Sequence, residues 1–161
     1  MKARTLVINA LVAALYIAVT ALVAPIAFTS IQFRISEMFN HLVVFNKRYF
    51  FGIVIGVLLS NLLLSPSKLD LIFGVAHSAI SLGIIILLSK YIKDVWALLM
   101  LNTLVFTFNM FIIAWEIKII EPDAPFFLTW LTTGIGEFAV LAIGIPIMYA
   151  LNKRLRFEKL I

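Results

Sequence analysis

The stretch Leu131-Thr132-Thr133-Gly134-Ile135-Gly136-Glu137-Phe138-Ala139-Val140-Leu141 decides the fold. It lies in an apolar run from Phe126 to Leu151 in which Glu137 is the one charged residue. At ~1.5 Å per residue such a run crosses the ~30 Å hydrocarbon layer as a helix. Counted from Phe126, Glu137 then lies roughly 15 Å deep. A carboxylate at bilayer depth costs ~3 kcal/mol on insertion scales, and such residues face a cavity or a partner. No Lys, Arg or His between Phe126 and Asn152 neutralises it. Its partner has to come from another helix or from a ligand.

The rest of the chain is of the same kind. It is 63% hydrophobic and 13% charged, with a mean hydropathy of +1.12, whereas soluble domains are about half apolar and about a quarter charged. Six spans fit its 161 residues. They run from about Thr5 to Ala24, Arg34 to Asn46, Phe50 to Leu64, Leu69 to Ser89, Val95 to Ile117 and Phe126 to Leu151. The second is too short to cross upright. The first, although preceded by Lys2 and Arg4, is long and lacks a signal-peptide cleavage pattern, so it reads as a retained span. Short connections leave one six-helix transmembrane substrate-binding domain over 1–161. Basic residues set the orientation. With the N-terminus in the cytoplasm, ten lie inside (Lys2, Arg4, Lys47, Arg48, Lys90, Lys93, Lys153, Arg154, Arg156, Lys159) and three outside (Arg34, Lys68, Lys118). The fold class is therefore an all-α, multi-pass cell-membrane protein with both termini inside. The net charge of +5 follows from this distribution and needs no nucleic-acid partner.

Most polar groups at depth fall in the outer half: Arg34, Glu37, His77, Asn109 and Glu137. The inner half reads as nearly pure hydrocarbon apart from Asn102. This pattern predicts an outward-facing pocket, whereas a pore needs polar steps continuing inward. Each residue also has a structural reading. Arg34 and Glu37, three apart, can pair with each other. His77, among small residues in Gly74-Val75-Ala76-His77-Ser78-Ala79, can be a packing histidine. Asn109 can be interhelical glue, Glu116 a rim residue, and Trp115 and Trp130 interface anchors. A metal site from His41, His77 and Glu137 has no motif spacing behind it. Without cysteine, thiolate metal sites and cysteine nucleophiles are excluded.

The first span carries Ala10, Ala14 and Ala18 on one face, at a spacing that lets another helix approach closely. The neighbour is either inside the bundle or on a separate protein. Gly52 and Gly56 read as internal packing. No Walker motif or other nucleotide-binding loop is present, and no serine–histidine–acid arrangement can be placed on one side. The chain reads as a binding protein and not an enzyme: a passive facilitator, or a capture subunit powered by partners.

Two segments carry a family resemblance. Ile31-Gln32-Phe33-Arg34-Ile35-Ser36-Glu37 is similar to the QFRxSE segment of the QueT family. That family is a group of substrate-binding S components of energy-coupling factor (ECF) transporters. Gly136-Glu137-Phe138-Ala139-Val140-Leu141-Ala142-Ile143-Gly144-Ile145-Pro146 and the run from Gly52 to Asn61 resemble it too. The resemblance implies import of a queuosine precursor: preQ1, preQ0 or queuine, all 7-deazaguanine bases. It also implies a transmembrane T component and two cytoplasmic ATPases as partners, with Ala10, Ala14 and Ala18 as the docking face, and no cofactor or metal. A guanine-like ring presents adjacent N1–H and N2–H donors that one carboxylate accepts together, a part Glu137 suits. An aminomethyl cation would call on Glu37 or Glu116. Arg34, Asn109 and His77 are candidates for the ring's carbonyl and nitrogens, and Phe33, Trp115 or Trp130 for stacking. A different vitamin remains the alternative ligand.

Overall fold

The computed structural model describes residues 3–27, 29 and 32–161, so Lys2 of the inner basic set and Ile31 of the QFRxSE-like segment lie outside the described residues. Five helices are long and apolar enough to span: α1 (Ala3–Leu22), α3 (Lys47–Leu64), α4 (Leu69–Leu88), α5 (Val95–Ile120) and α6 (Phe126–Leu155). Between α1 and α3 lies the short α2 (Ile35–Phe45), and a last turn, α7, covers Phe157–Leu160. The expected spans and the observed helices agree closely, α5 and α6 each extending a few residues further. Local chemistry sets several ends. The side chain of Asn46 accepts from Arg48 N–H at 3.1 Å before α3, and Asp94 accepts from Ala97 N–H at 2.7 Å before α5, satisfying donors that a helix start leaves unpaired.

α2 departs most from a regular helix. Ile35–His41 is wound as a 3-10 helix and only Leu42–Phe45 is α-helical. At ~2.0 Å per residue in the first part and ~1.5 Å in the second, it spans roughly 20 Å, short of the bilayer. Three residues per turn also eclipse every third side chain, so Arg34, Glu37 and Asn40 stand in one row. α2 lies inside the bundle, packed against α1, α5 and α6.

α1 and α3 pack closely along their length. A Cβ added at Gly52 would lie 2.7 Å from the Asn9 carbonyl oxygen, and one at Gly56 would lie 2.8 Å from Tyr16 Cβ. These glycines therefore serve the bundle's own packing. Asn9 also accepts from Gly52 N–H at 2.7 Å. The opposite face of α1 differs: Ala10, Ala14 and Ala18 are exposed, while Ala13 is buried. Of the two neighbours considered for the alanine stripe, the bundle itself is thus not the one it meets.

The cytoplasmic end is tied together by the chain termini. Arg4 donates to Lys159 O at 3.2 Å, and Tyr49 Oη donates to Phe157 O at 2.9 Å. The inner half holds more polar chemistry than expected. Asn102 Nδ2 donates to His41 Nδ1 at 3.1 Å, so the other ring nitrogen, Nε2, carries the proton and donates to Leu141 O at 2.9 Å. Both residues are fully buried, and the arrangement staples α2, α5 and α6 together.

Glycine substitutions separate packing from helix propensity. Gly52→Ala is expected to cost about 1–3 kcal/mol by overpacking, because the Asn9 backbone cannot yield. Gly83→Ala meets nothing within 4 Å and should gain up to about 1 kcal/mol from propensity. Thermal unfolding in detergent reads the two opposite signs.

Candidate functional site

Two spaces that share Gln32 in their lining lie toward the end of the bundle that the basic residues assign to the outside. The outer one is a vestibule of about 560 Å³. The loops before α2, α4 and α6 border it through Gln32, Pro66 and Ala124, and Ser67, Asp70, Glu116 and Thr132 line it as well. The inner one is a void of about 10 Å³, bounded by Gln32, Arg34, Glu37, Gly74, His77, Met110, Ile113 and Glu137. Its size is about that of one water. Gln32, with a left-handed φ of 57°, stands between the two.

The inner void is charged on several sides. Glu137 is 2% exposed and its Oε1 has no hydrogen-bond donor. The charges acting on it are Glu37 and Arg34. Glu37 is held from α1 by Tyr16 Oη, which donates to it at 2.6 Å, and by Asn40 Nδ2 one 3-10 turn further along α2. Beside this pair, Thr20 and Ser36 hydroxyls meet at 2.7 Å. Arg34 reaches across the bundle. Its Nε donates to Ala27 O and one terminal nitrogen to Asn61 Oδ1, both at 3.3 Å, while the other lies 3.6 Å from Asp70 Oδ2. His77 Nε2 donates to Phe106 O at 3.1 Å. Met110, where α5 breaks between Val95–Asn109 and Phe111–Ile120, and Ile113 supply the apolar wall.

The vestibule floor holds a second carboxyl pair. Glu116 is 2% exposed; its Oε1 accepts from Ser67 Oγ at 3.2 Å, and its Oε2 has no donor. Asp70 lines the same vestibule and accepts from Ser65 Oγ. Glu116 is therefore buried and not a solvated rim residue.

Of the nine residues expected to contact a ligand, Arg34, Glu37, His77, Glu137 and Glu116 line these spaces, and Phe33, Asn109, Trp115 and Trp130 line neither. Asn109 is spent on Ser81, to which its Nδ2 donates at 2.9 Å, which is the interhelical role. Trp115 follows Ile113 by two positions, so at about 100° per residue it points away from the void; it is 57% exposed and meets Phe126 edge-on. Trp130 donates from Nε1 to Phe108 O at 2.9 Å and lines an apolar groove on the outside of the bundle. Phe33 is half-buried beside the Gln32–Arg34 bend. Sequence reading passed over Tyr16, Gln32, Asn40, Asn61, Ser67 and Asp70. For Tyr16 a signal existed: it is the one aromatic residue of the first span, two positions from the alanine stripe.

A multi-pass helical bundle with a charged, buried chamber reached from one end is built to hold a small polar solute within a membrane. The QueT transporter family model matches residues 6–153, and the chain belongs to that family. Over 167 aligned positions it is 37% identical to the queuosine precursor transporter QueT of Lactococcus lactis subsp. cremoris (strain MG1363), with 98% of each chain covered. No solved structure matches it. It is a multi-pass transporter of the cell membrane.

The Tyr16–Glu37 hydrogen bond holds the row of polar side chains in place. Tyr16→Phe removes the donor without changing the ring, and should cost about 1.5–3 kcal/mol, the range for hydrogen bonds to charged groups. Thermal unfolding of the purified protein measures it.

Proposed function

We propose that this chain is the substrate-capturing subunit of an ATP-driven importer and that it binds a queuosine precursor, a 7-deazaguanine base, from the outer side. One observation carries the reading. Glu137 Oε1 is buried, lacks a donor and borders the inner void. The donor pair on a guanine-type ring, N1–H with N2–H, supplies what this carboxylate lacks, in the parallel geometry that makes such hydrogen bonds strong. The similarity to a protein named as a queuosine precursor transporter supports the same ligand class.

The rest of the void suits a flat heteroaromatic ring. Met110 and Ile113 offer an apolar surface on one helix, and Gly74, whose missing Cβ makes room for the Asn61 amide, borders the void on another. Arg34 and His77, which line the same void, are the candidates for the carbonyl and ring nitrogens. A void the size of one water does not take a ring as it stands, so Gln32 and the apolar wall have to move apart on binding.

Energy comes from partners in this reading: a transmembrane T component and two cytoplasmic ATPases. The exposed Ala10, Ala14 and Ala18 supply a face on which another helix can pack closely. The facilitator alternative needs no such face.

Two variants test the two halves separately. Glu137→Gln swaps an acceptor for a donor and should weaken base binding by about 1–3 kcal/mol in calorimetric titration; an unchanged affinity would assign Glu137 a structural role. Ala14→Trp should abolish uptake and co-purification with the T component while leaving base affinity unaltered. Uptake that persists in cells lacking the ATPases would favour the facilitator.

A further inference from the structure

The carboxyl pair at the vestibule floor is not needed to bind the base edge. Glu116 is nine-tenths buried and more, lines the vestibule, and has one oxygen satisfied by Ser67 and the other without a donor. Asp70 lines the same vestibule. Among the described residues lining the vestibule there are three acidic side chains, Asp70, Glu116 and Glu121, and no Lys, Arg or His. The nearest lysine on α5, Lys118, is engaged with the Pro122 and Ala124 carbonyls. A buried carboxylate pair gains most from a cation that also donates hydrogen bonds.

The pair stands in register with the inner void. On α5, Glu116 is three residues outward of Ile113; on α4, Asp70 is four residues outward of Gly74. At ~1.5 Å per residue both steps are about one helical turn. On α6, Thr132 of the vestibule precedes Glu137 of the void in the same direction. A ring seated between Gly74 and Ile113 thus has its outer end beside Asp70 and Glu116. In a 7-deazaguanine the N1–H and N2–H edge lies opposite the five-membered ring that carries the substituent. With that edge on Glu137, the substituent points to the vestibule.

We infer that Glu116 and Asp70, with Ser67, form a subsite for an alkylammonium group, and that the transporter selects bases bearing a protonated aminomethyl arm over the neutral nitrile. This inference rests on the base-binding reading above. A vestibule of about 560 Å³ also admits a further substituent on the amine nitrogen, since a secondary amine keeps the charge.

The test is calorimetric titration of the purified full-length protein with 7-aminomethyl-7-deazaguanine and with 7-cyano-7-deazaguanine. Wild type should bind the amine roughly tenfold or more tightly than the nitrile, as a charge-assisted bond to a buried carboxylate requires. Glu116→Gln should erase that preference by weakening the amine alone. The wild-type comparison needs no variant to fold, so the inference can fail on it directly. Equal affinities in wild type, or a Glu116→Gln loss shared equally by both bases, overturns the subsite. If both bases bind equally and Glu137→Gln weakens both, the base-binding reading survives that failure. If neither base binds, both fall.

Discussion

The arrangement depends on one guanidinium. Arg34 is the single Lys or Arg among the described residues lining the two cavities, whose lining also holds four buried carboxyl groups, Glu37, Glu137, Asp70 and Glu116. Its fork is suited to several partners at once, and it keeps its charge in any environment. Arg34 sits where the extended chain after Gln32 enters the 3-10 turn, so one side chain ties the α2 entry to the α3–α4 corner through Asn61 and Asp70. In a low-dielectric interior, carboxylates in such number against one cation leave the site short of positive charge and of donors. That deficit is what a ligand with donor edges satisfies.

The winding of α2 follows from the same need. An α-helix would rotate Glu37 and Asn40 away from the Arg34 side by degrees. Three residues per turn keeps all three in line and shortens the distance between their side chains. Such a helix is poorly bonded by itself, and the surrounding helices hold it. Tyr16 and Thr20 clamp it from α1, and the Leu141 carbonyl and Asn102 hold His41 further in. α1 therefore does two unlike things on two faces. One face hydrogen-bonds α2 and closes on the glycines of α3; the other exposes the Ala10, Ala14 and Ala18 stripe beside larger aliphatic side chains such as Leu11 and Leu15.

The spans, their number and the short second helix were legible from hydropathy and length alone, because the cost of burying backbone in lipid leaves few alternatives. Glu37, Glu137, His77 and Arg34 were legible as polar groups at depth. The aromatic assignments were not. In water an apolar face points inward, but in a membrane both the lipid side and the packed side are apolar, so periodicity does not tell Trp115 from Met110. Asp70 was hidden because a charged residue at a span's first turn reads as a solvated end; only the fold shows Arg34 arriving there from another helix. The structural role of the inner-half histidine, His41, was not legible for a related reason. Depth alone signals a polar group that needs a partner, but says nothing of whether the partner is Leu141's carbonyl or a solute.

That distinction is the criterion that separates structural from receptive groups here. His41 and Asn9 have both side-chain polar atoms hydrogen-bonded within the bundle, and they lie toward the end that the basic residues assign to the cytoplasm. Glu137 and Glu116 are as deeply buried, yet each keeps an oxygen without a donor and each borders a cavity, whereas Asn102, whose Oδ1 also lacks a donor, lines neither cavity. A residue retained only for packing has no reason to carry that cost, since a glutamine or leucine of similar volume would avoid it. Counted from the outer ends of α5 and α6, Glu137 lies deeper than Glu116. The solute that satisfies both is an elongated one, with a donor edge at its inner end and a cation at its outer end.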